Sequence, residues 1–182
     1  MSVNTSNYAA DMRQDRWVTG FEPWHLEAVV MRSREVRTFS QIDREADMET
    51  KTAKLGTAFT GFSENGIIGC AGIAPIWPGV GHAWVVAGKH YKNHRIWMHK
   101  QVIDYMNKII AGMELTRVQA NVLCSFTPGI QWLERMGFKL EGKMYQYGPD
   151  GAEVKGVYLR GSLMRFEAED GAKEDHQGGV TE

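Results

Sequence analysis

The chain has few cysteines, no long apolar run and no internal repeat. Cys70 and Cys124 each lie in an apolar stretch typical of a strand, which favours reduced buried thiols over a disulfide. No Cys/His spacing resembles a zinc site, and no nucleic-acid-binding motif is present. No stretch has the length and apolarity to cross a membrane, and residues 1–16 lack the apolar segment of a secretory signal. These absences predict a cytoplasmic protein without metal, nucleic-acid or membrane partners.

Length and charge predict one domain and a tail. A chain of 182 residues with 43% apolar content is long enough for one packed core. From Glu167 to Glu182 there are six acids and one lysine, a balance of -5, so residues 1–166 carry +4 of the net charge of -1. Because this end has almost nothing to bury, we expect a folded domain over 1–166 and a disordered acidic tail over 167–182. The mildly basic domain suits an anionic ligand.

The last third of the chain predicts a strand, a short helix and a hairpin. Pro128 suits the start of the helix and Gly137 its end, because glycine adopts the left-handed conformation that stops a helix. The turn Gly148–Gly151 contains Pro and Gly at positions that favour chain reversal. The predicted elements are the strand Arg117–Leu123, the helix Ile130–Met136, and the hairpin strands Lys139–Tyr147 and Val154–Arg160.

The preceding residues predict two helices, a hairpin, a further strand and a long helix. Asn65-Gly66 is a hairpin signal, and Pro75 and Pro78 are expected to enclose a loop. A basic loop precedes the long helix, which ends at Gly112 and has apolar residues at helical spacing. The predicted elements are helices Pro23–Glu35 and Ser40–Thr50, and strands Thr57–Phe62, Ile67–Ile73 and His82–Ala87. An N-terminal first strand is assumed without a firm position. This order predicts a single α/β (α+β) domain with a mostly antiparallel central sheet flanked by helices.

The run Ile130-Gln-Trp-Leu-Glu-Arg-Met-Gly-Phe138, followed by Leu140-Glu-Gly, resembles the GNAT N-acetyltransferases. The sequence of this run is most similar to that of the small GNAT-like proteins of tailed bacteriophages. The order of the predicted elements resembles the family over residues 20–162. The residues themselves resemble it over 117–160 and at the Asn-Gly hairpin. It implies a GNAT-like domain whose sheet is splayed between its fourth and fifth strands. It also implies transfer of an acetyl group from acetyl-CoA, as co-substrate, to an amine of a small molecule or protein.

The resemblance also implies a cofactor site at the fourth strand and the following helix. Backbone groups of the strand would polarise the thioester carbonyl, and the start of the helix would bind the pyrophosphate. Arg95 and Trp97 fill the two glycine positions of the family motif, so a basic run that includes Lys89, Lys92 and Arg95 would hold the pyrophosphate instead. A solvated basic surface is the other interpretation of this run. The implied cofactor-binding residues are Val85, Val86, Lys89, Lys92, Asn93, His94, Arg95, Ile96 and Trp97.

For catalysis, the resemblance points to His82 as a base and Tyr145 on the acceptor side. His82 lies near the family's base position and shares a strand face with Trp84 by alternation, although a packed structural histidine is the other interpretation. Tyr147 could also reach the acceptor side, and Glu141 is a minor candidate for an acid or base, although such residues are more often ordinary strand residues. Trp77 and Trp84 are expected to flank the acceptor cleft. Two functional residues of the family are missing from this chain. Leu133 stands where the family often has the Tyr that protonates the thiolate, and Phe126 stands where it has a polar Asn.

Two functions from different classes therefore remain open. One is an active N-acetyltransferase that acts on an unknown amine. The other is a catalytically degenerate GNAT-fold phage protein that binds a host protein or a virion component, in the host cytoplasm. The filled glycine positions and Leu133 favour the second, and the basic run favours the first.

Overall fold

The computed structural model describes residues 15–29, 48–148 and 151–160, with only the backbone given for 48–51. The strands are β1 Arg16–Gly20, β2 Ala58–Ser63, β3 Gly66–Trp77, β4 Val80–Ala87, β5 Arg117–Leu123, β6 Lys139–Met144 and β7 Val154–Arg160. The helices are α1 Trp24–Ala28, α2 Met48–Leu55, α3 Tyr91–Gly112 and α4 Thr127–Arg135. The predicted tail, the Ser40 helix start and the predicted helical residues 30–35 lie outside the described residues.

All seven strands form one sheet, in the order β1-β2-β3-β4-β5-β7-β6. Every neighbouring pair is antiparallel except β4 and β5, which are parallel. Short turns join β2 to β3 and β3 to β4, whereas residues 21–57, with α1 and α2, connect β1 to β2, and α3 connects the two parallel strands. The predicted fold class, a mostly antiparallel sheet flanked by helices in one domain, is therefore confirmed.

Alternation along β4 separates two buried layers, one on each face of the sheet. Ala83 and Val85 pack into a large core with α3 and α4, on what we call the α3 face. Trp84 and Val86 pack instead with Phe21, at the start of α1, in a smaller core that we call the α1 face. Among the described residues, this smaller core contains none of β5, β6 or β7, so it covers the half of the α1 face that the first four strands form.

The hairpin of β3 and β4 is longer than the sequence predicted. Pro75 was expected to begin a loop, but it lies inside β3 and is in register with Gly81. The register shifts between Pro75 and Trp77, and such an irregularity accommodates a residue that cannot donate a ladder hydrogen bond. The chain reverses instead at Pro78-Gly79, where Gly79 has a φ of 75°. The prediction of a loop beginning at Pro75 was therefore wrong.

Helix α3 begins within the stretch that the sequence assigned to a basic loop. The connection from β4 is only Gly88, Lys89 and His90, and the helix then continues to Gly112 as predicted. Its buried side chains recur at the expected helical spacing: Met98, Val102, Met106 and Ile110. Within the described part of the chain, no helix has the length and apolarity that crossing a membrane requires.

A buried network of polar contacts holds α1 against the α1 face. His25 is 3% exposed, and its Nδ1 accepts a hydrogen bond from the Glu22 backbone N–H at 3.0 Å. The Thr60 hydroxyl lies 2.9 Å from the same nitrogen and 3.5 Å from the Cys70 sulfur. Burial lowers the pKa of His25 and raises the pKa of Cys70 to about 12, so the imidazole and the thiol are both neutral at pH 7. Its neutral His25 serves as the acceptor that anchors α1.

We expect this anchor to weaken in acid. Because the folded-state pKa of His25 is lowered, the unfolded chain binds more protons once the pH falls below about 6.5, and stability is lost there. His25→Ala should reduce the free energy of unfolding by about 1–3 kcal/mol at pH 7.5, since it leaves a buried donor unpaired. Urea denaturation of both proteins at several pH values measures the effect. The difference between them should shrink from pH 7.5 to pH 5, and a constant difference would contradict this role.

Candidate active site

The candidate site lies at the seam between β4 and β5. Their parallel pairing covers only Val80 with Arg117, Gly81 with Val118 and His82 with Gln119. Beyond His82, β4 continues to Ala87 and β5 to Leu123 with no register between them. The strands therefore diverge and open a cleft in the sheet, as the sequence predicted. A strand edge without a neighbouring strand offers N–H and C=O groups to an extended ligand.

His82 is the last paired residue before this cleft opens. It is half-buried on the α1 face, on the last strand of the half that the smaller core covers. Burial lowers the pKa of its imidazole, so His82 is neutral at pH 7. A neutral imidazole can accept a proton from a bound group. This position suits the predicted role as a base.

A row of half-buried polar side chains extends from His82 across the second half of the sheet. His82 is in register with Gln119, and Gln119 is in register with Tyr158 of β7. Residues directly opposite each other present their side chains on the same face, so these three form one line, which we call the polar row. With strands about 4.8 Å apart, His82 and Tyr158 are separated by about 10 Å. The row is a floor on which a molecule reaching His82 can lie.

An ion pair supports the far end of the polar row. The Arg117 guanidinium carbon lies 4.8 Å from the centre of the Tyr158 ring, within cation–π distance. Arg117 also donates a hydrogen bond to the Glu141 carboxylate. Glu141 was a minor candidate for an acid or base in the sequence, and the structure pairs it with Arg117. The sequence analysis missed Gln119 and Tyr158, and alternation within β5 and β7 was the only local signal for them.

The structure separates Tyr145 from His82. Tyr145 follows the end of β6, the outermost strand, so β5 and β7 lie between it and β4. Its side chain is 71% exposed and lies under the Lys143 ammonium, 4.9 Å from it. Trp84 is buried against Phe21 and cannot line an open cleft, whereas Trp77 is 70% exposed at the tip of the β3–β4 hairpin. Tyr145 therefore lies away from His82, whereas Trp84 shares the α1 face with His82 but is buried.

The basic run at the start of α3 divides between two sides of the helix. Trp97 packs against Gly61 of β2, and the Arg16 guanidinium lies above the Trp97 ring. Burial lowers the pKa of His94, and the positive charge of Arg16 lowers it further. Arg95 stays exposed, as do Lys89, Lys92, Asn93 and Ile96. The exposed cations are therefore the part of the run that a ligand at the start of α3 can reach. Val86 is buried and Val85 is half-buried, each packed into one of the two cores.

The motif that the family uses for pyrophosphate is absent from this connection. The positions expected to form a glycine loop are helical from Tyr91 onward. The Tyr91 N–H donates to the Gly88 carbonyl, and the Asn93 N–H donates to the His90 carbonyl. Two of the first backbone donors are thus already used by the turn. Any anion held here depends on the exposed cations more than on a backbone cradle.

The two lost family positions are explained by packing. Leu133 of α4 is 9% exposed and belongs to the large core with Met136. Phe126 precedes α4 and packs so closely on Gly129 that a Cβ there would lie 2.4 Å from the Phe126 ring. Neither residue can donate a proton to a thiolate, so any such proton must come from another group or from water.

Comparison with solved structures shows the same fold in several acetyltransferases. Ard1 from Thermoplasma volcanium matches with a TM-score of 0.60 and 12% identity, over 80% of this chain and 97% of its own. Spermidine N-acetyltransferase from Vibrio cholerae, in complex with CoA and spermine, matches with a TM-score of 0.61 and 14% identity, over 82% and 97%. The putative acetyltransferase yncA from Salmonella typhimurium, with acetyl-CoA, matches with a TM-score of 0.59 and 9% identity, over 87% and 100%.

No protein family model and no curated protein sequence matches this chain. The structural matches establish a GNAT fold, which confirms the fold implied by the resemblance. At these identities they carry the fold alone. The link to tailed bacteriophages stays a prediction.

Gly88 determines how closely the β4–α3 connection approaches β3. A Cβ at Gly88 would lie 2.8 Å from the Ile67 carbonyl oxygen and 3.0 Å from that of Ile68. Gly88→Ala should therefore cost about 1–3 kcal/mol of stability, because backbone must move to admit the methyl group. Gly112→Ala is the matched control, since a Cβ there meets nothing within 4 Å. Urea denaturation measures both variants, and equal stability of the two would show that the connection is loose.

Proposed function

We propose that this protein is an N-acetyltransferase that moves the acetyl group of acetyl-CoA to an amine of a small molecule or a protein. The observation that carries the proposal is the seam itself, where β4 and β5 diverge immediately after His82. The fold matches, two of which contain CoA or acetyl-CoA, support acetyl-CoA as the co-substrate.

The residues present fit the thioester arm of acetyl-CoA better than its pyrophosphate. The edge of β4 beyond His82 offers strand-like backbone to an extended, amide-bearing arm, and a backbone N–H there can polarise the thioester carbonyl. At the start of α3, Lys89, Lys92 and Arg95 are exposed cations that can pair with phosphate oxygens. Acetyl-CoA would supply the activated acetyl group. The chain would hold it between β4, β5 and the start of α3.

His82 is the residue we propose as the base. An amine attacks the thioester carbon only after losing a proton, and a neutral imidazole beside the cleft can accept it. The new C–N bond forms as the C–S bond breaks, and the thiolate leaves with the electron pair. The thiolate then takes a proton from water or, through water, from the imidazolium of His82. Helix α4 contains no tyrosine that could contribute to this step.

The second candidate is a GNAT-fold protein without catalysis that binds a host protein or a virion component. The early start of α3 and the buried Leu133 favour it, because both remove features on which the family's chemistry relies. The two candidates differ in whether acetyl-CoA binds and turns over. The measurements below test binding and turnover of acetyl-CoA, and so distinguish the two candidates.

Acetyl-CoA should raise the melting temperature, because a ligand that binds only the folded state stabilises it by mass action. A Lys92→Ala, Arg95→Ala double variant should weaken acetyl-CoA binding by about tenfold or more, through the loss of charge-assisted contacts. A Lys100→Ala, Lys108→Ala double variant changes the net charge equally on the same helix and should bind normally. Calorimetric titration measures all three proteins. No binding of acetyl-CoA by the unmodified protein would favour the second candidate.

His82→Gln should lower the rate of thiol release from acetyl-CoA by about 10²–10⁴, the usual loss when a positioned base is removed. Acetyl-CoA affinity should be unchanged. His99→Gln is the matched control, since the pKa of His99 is also lowered by burial but its ring accepts a hydrogen bond from Trp132 instead. Because the pKa of His82 lies below its usual 6.5, its contribution should be complete by about pH 7 and lost in acid. Full activity of His82→Gln would place the base elsewhere.

A further inference from the structure

The half of the α1 face formed by β5, β7 and β6 carries a surplus of positive charge. Arg117 is in register with Arg160, and Lys139 is in register with Tyr158, so these cations share the face of the polar row. Among the residues of β5, β6 and β7, all of which are described, Glu141 is the one acid. Glu141 is already bonded to Arg117. This surface therefore suits a negative group and repels a positive one.

Arg117 is held in place for such a group. Its guanidinium lies over the Tyr158 ring, and one of its terminal nitrogens bonds to Glu141. A guanidinium has five N–H donors in a planar fork, so these two contacts fix its orientation without using all of its donors. The Arg117 side chain is 31% exposed, which leaves it accessible to solvent and to a ligand. A pre-positioned guanidinium of this kind binds a carboxylate or a phosphate through paired hydrogen bonds.

The polar row sets the distance between this cation and the proposed chemistry. Arg117 lies over Tyr158, and Tyr158 is two strands from His82, about 10 Å away. Gln119 lies between them and can donate and accept hydrogen bonds. We propose that the acceptor is an amine that also carries an anionic group, and that Arg117 binds that group while the amine lies at His82. This inference rests on the proposed acetyl transfer and names the class of its acceptor.

Three amines of equal chain length test the charge preference: 6-aminohexanoate, 6-amino-1-hexanol and 1,6-diaminohexane. They place a negative, a neutral and a positive group at the same distance from the reacting amine. The value of kcat/KM should be highest for the carboxylate, at least about tenfold above the alcohol, and lowest for the diamine. The carboxylate preference should fall as salt is added. Equal or better use of the diamine would overturn the inference. An aminoalkyl phosphate in the same assay distinguishes a phosphate from a carboxylate.

Substitution of Arg117 tests the residue itself. Arg117→Gln should erase the difference between the carboxylate and the alcohol, mainly through a higher KM for the carboxylate. Lys155→Gln is the matched control, because Lys155 is in register with Val122 on the opposite face of the same strand pair. Thermal melting in parallel shows whether each variant is folded. If Arg117→Gln and Lys155→Gln keep the same preference, Arg117 does not bind the acceptor.

A binding measurement separates this inference from the proposed function. NMR titration with 6-aminohexanoate, without acetyl-CoA, should shift the Gln119 side-chain amide in the unmodified protein and not in Arg117→Gln. If acetyl-CoA is neither bound nor cleaved but these shifts occur, acetyl transfer fails while the anion site on the polar row stands. If acetyl-CoA is cleaved but the three amines are used equally and no shift occurs, the inference fails and acetyl transfer stands.

Discussion

The short parallel pairing of β4 with β5 is the constraint on which the rest of the site depends. Only the first residues of the two strands are in register, and the pairing ends at His82 and Gln119. This end point places a neutral histidine where the cleft opens and leaves the continuing edge of β4 to a ligand. It also brings Gln119 into line with Tyr158, because β7 pairs with β5 along its whole length. One register thus positions the proposed base, the cleft and the polar row together.

The elements with local signals were predicted well from the sequence. β5 and β7 run over the predicted residues, the Asn65-Gly66 turn joins β2 to β3, and Gly137 has the positive φ expected after α4. Each of these features depends on alternation or turn chemistry within a few residues. The apolar spacing of α3 likewise predicted its buried side.

The predictions that were wrong, and the residues that were missed, depend on packing between segments that are distant in the sequence. Pro75 remains in a strand because β4 pairs beside it, and the start of α3 is helical although its charges suggested a loop. The polar row needs the strand order β5-β7-β6, in which the last strand of the chain lies inside the sheet. Nothing within β7 shows that Tyr158 lies two strands from His82. The sequence therefore favoured Tyr145, which lies beyond the end of an edge strand.

The seam also divides the sheet mechanically. The group β1–β4 and the group β5–β7–β6 each contain long antiparallel pairings, yet the parallel pairing that joins them has only three residue pairs. On one face, helix α3 shares a single hydrophobic core with residues of both groups. Segments with few mutual backbone hydrogen bonds open locally at lower free energy than the units on either side. The two half-sheets are thus expected to exchange amide hydrogens as separate units, and a ligand lying along β4 would slow exchange at the seam first.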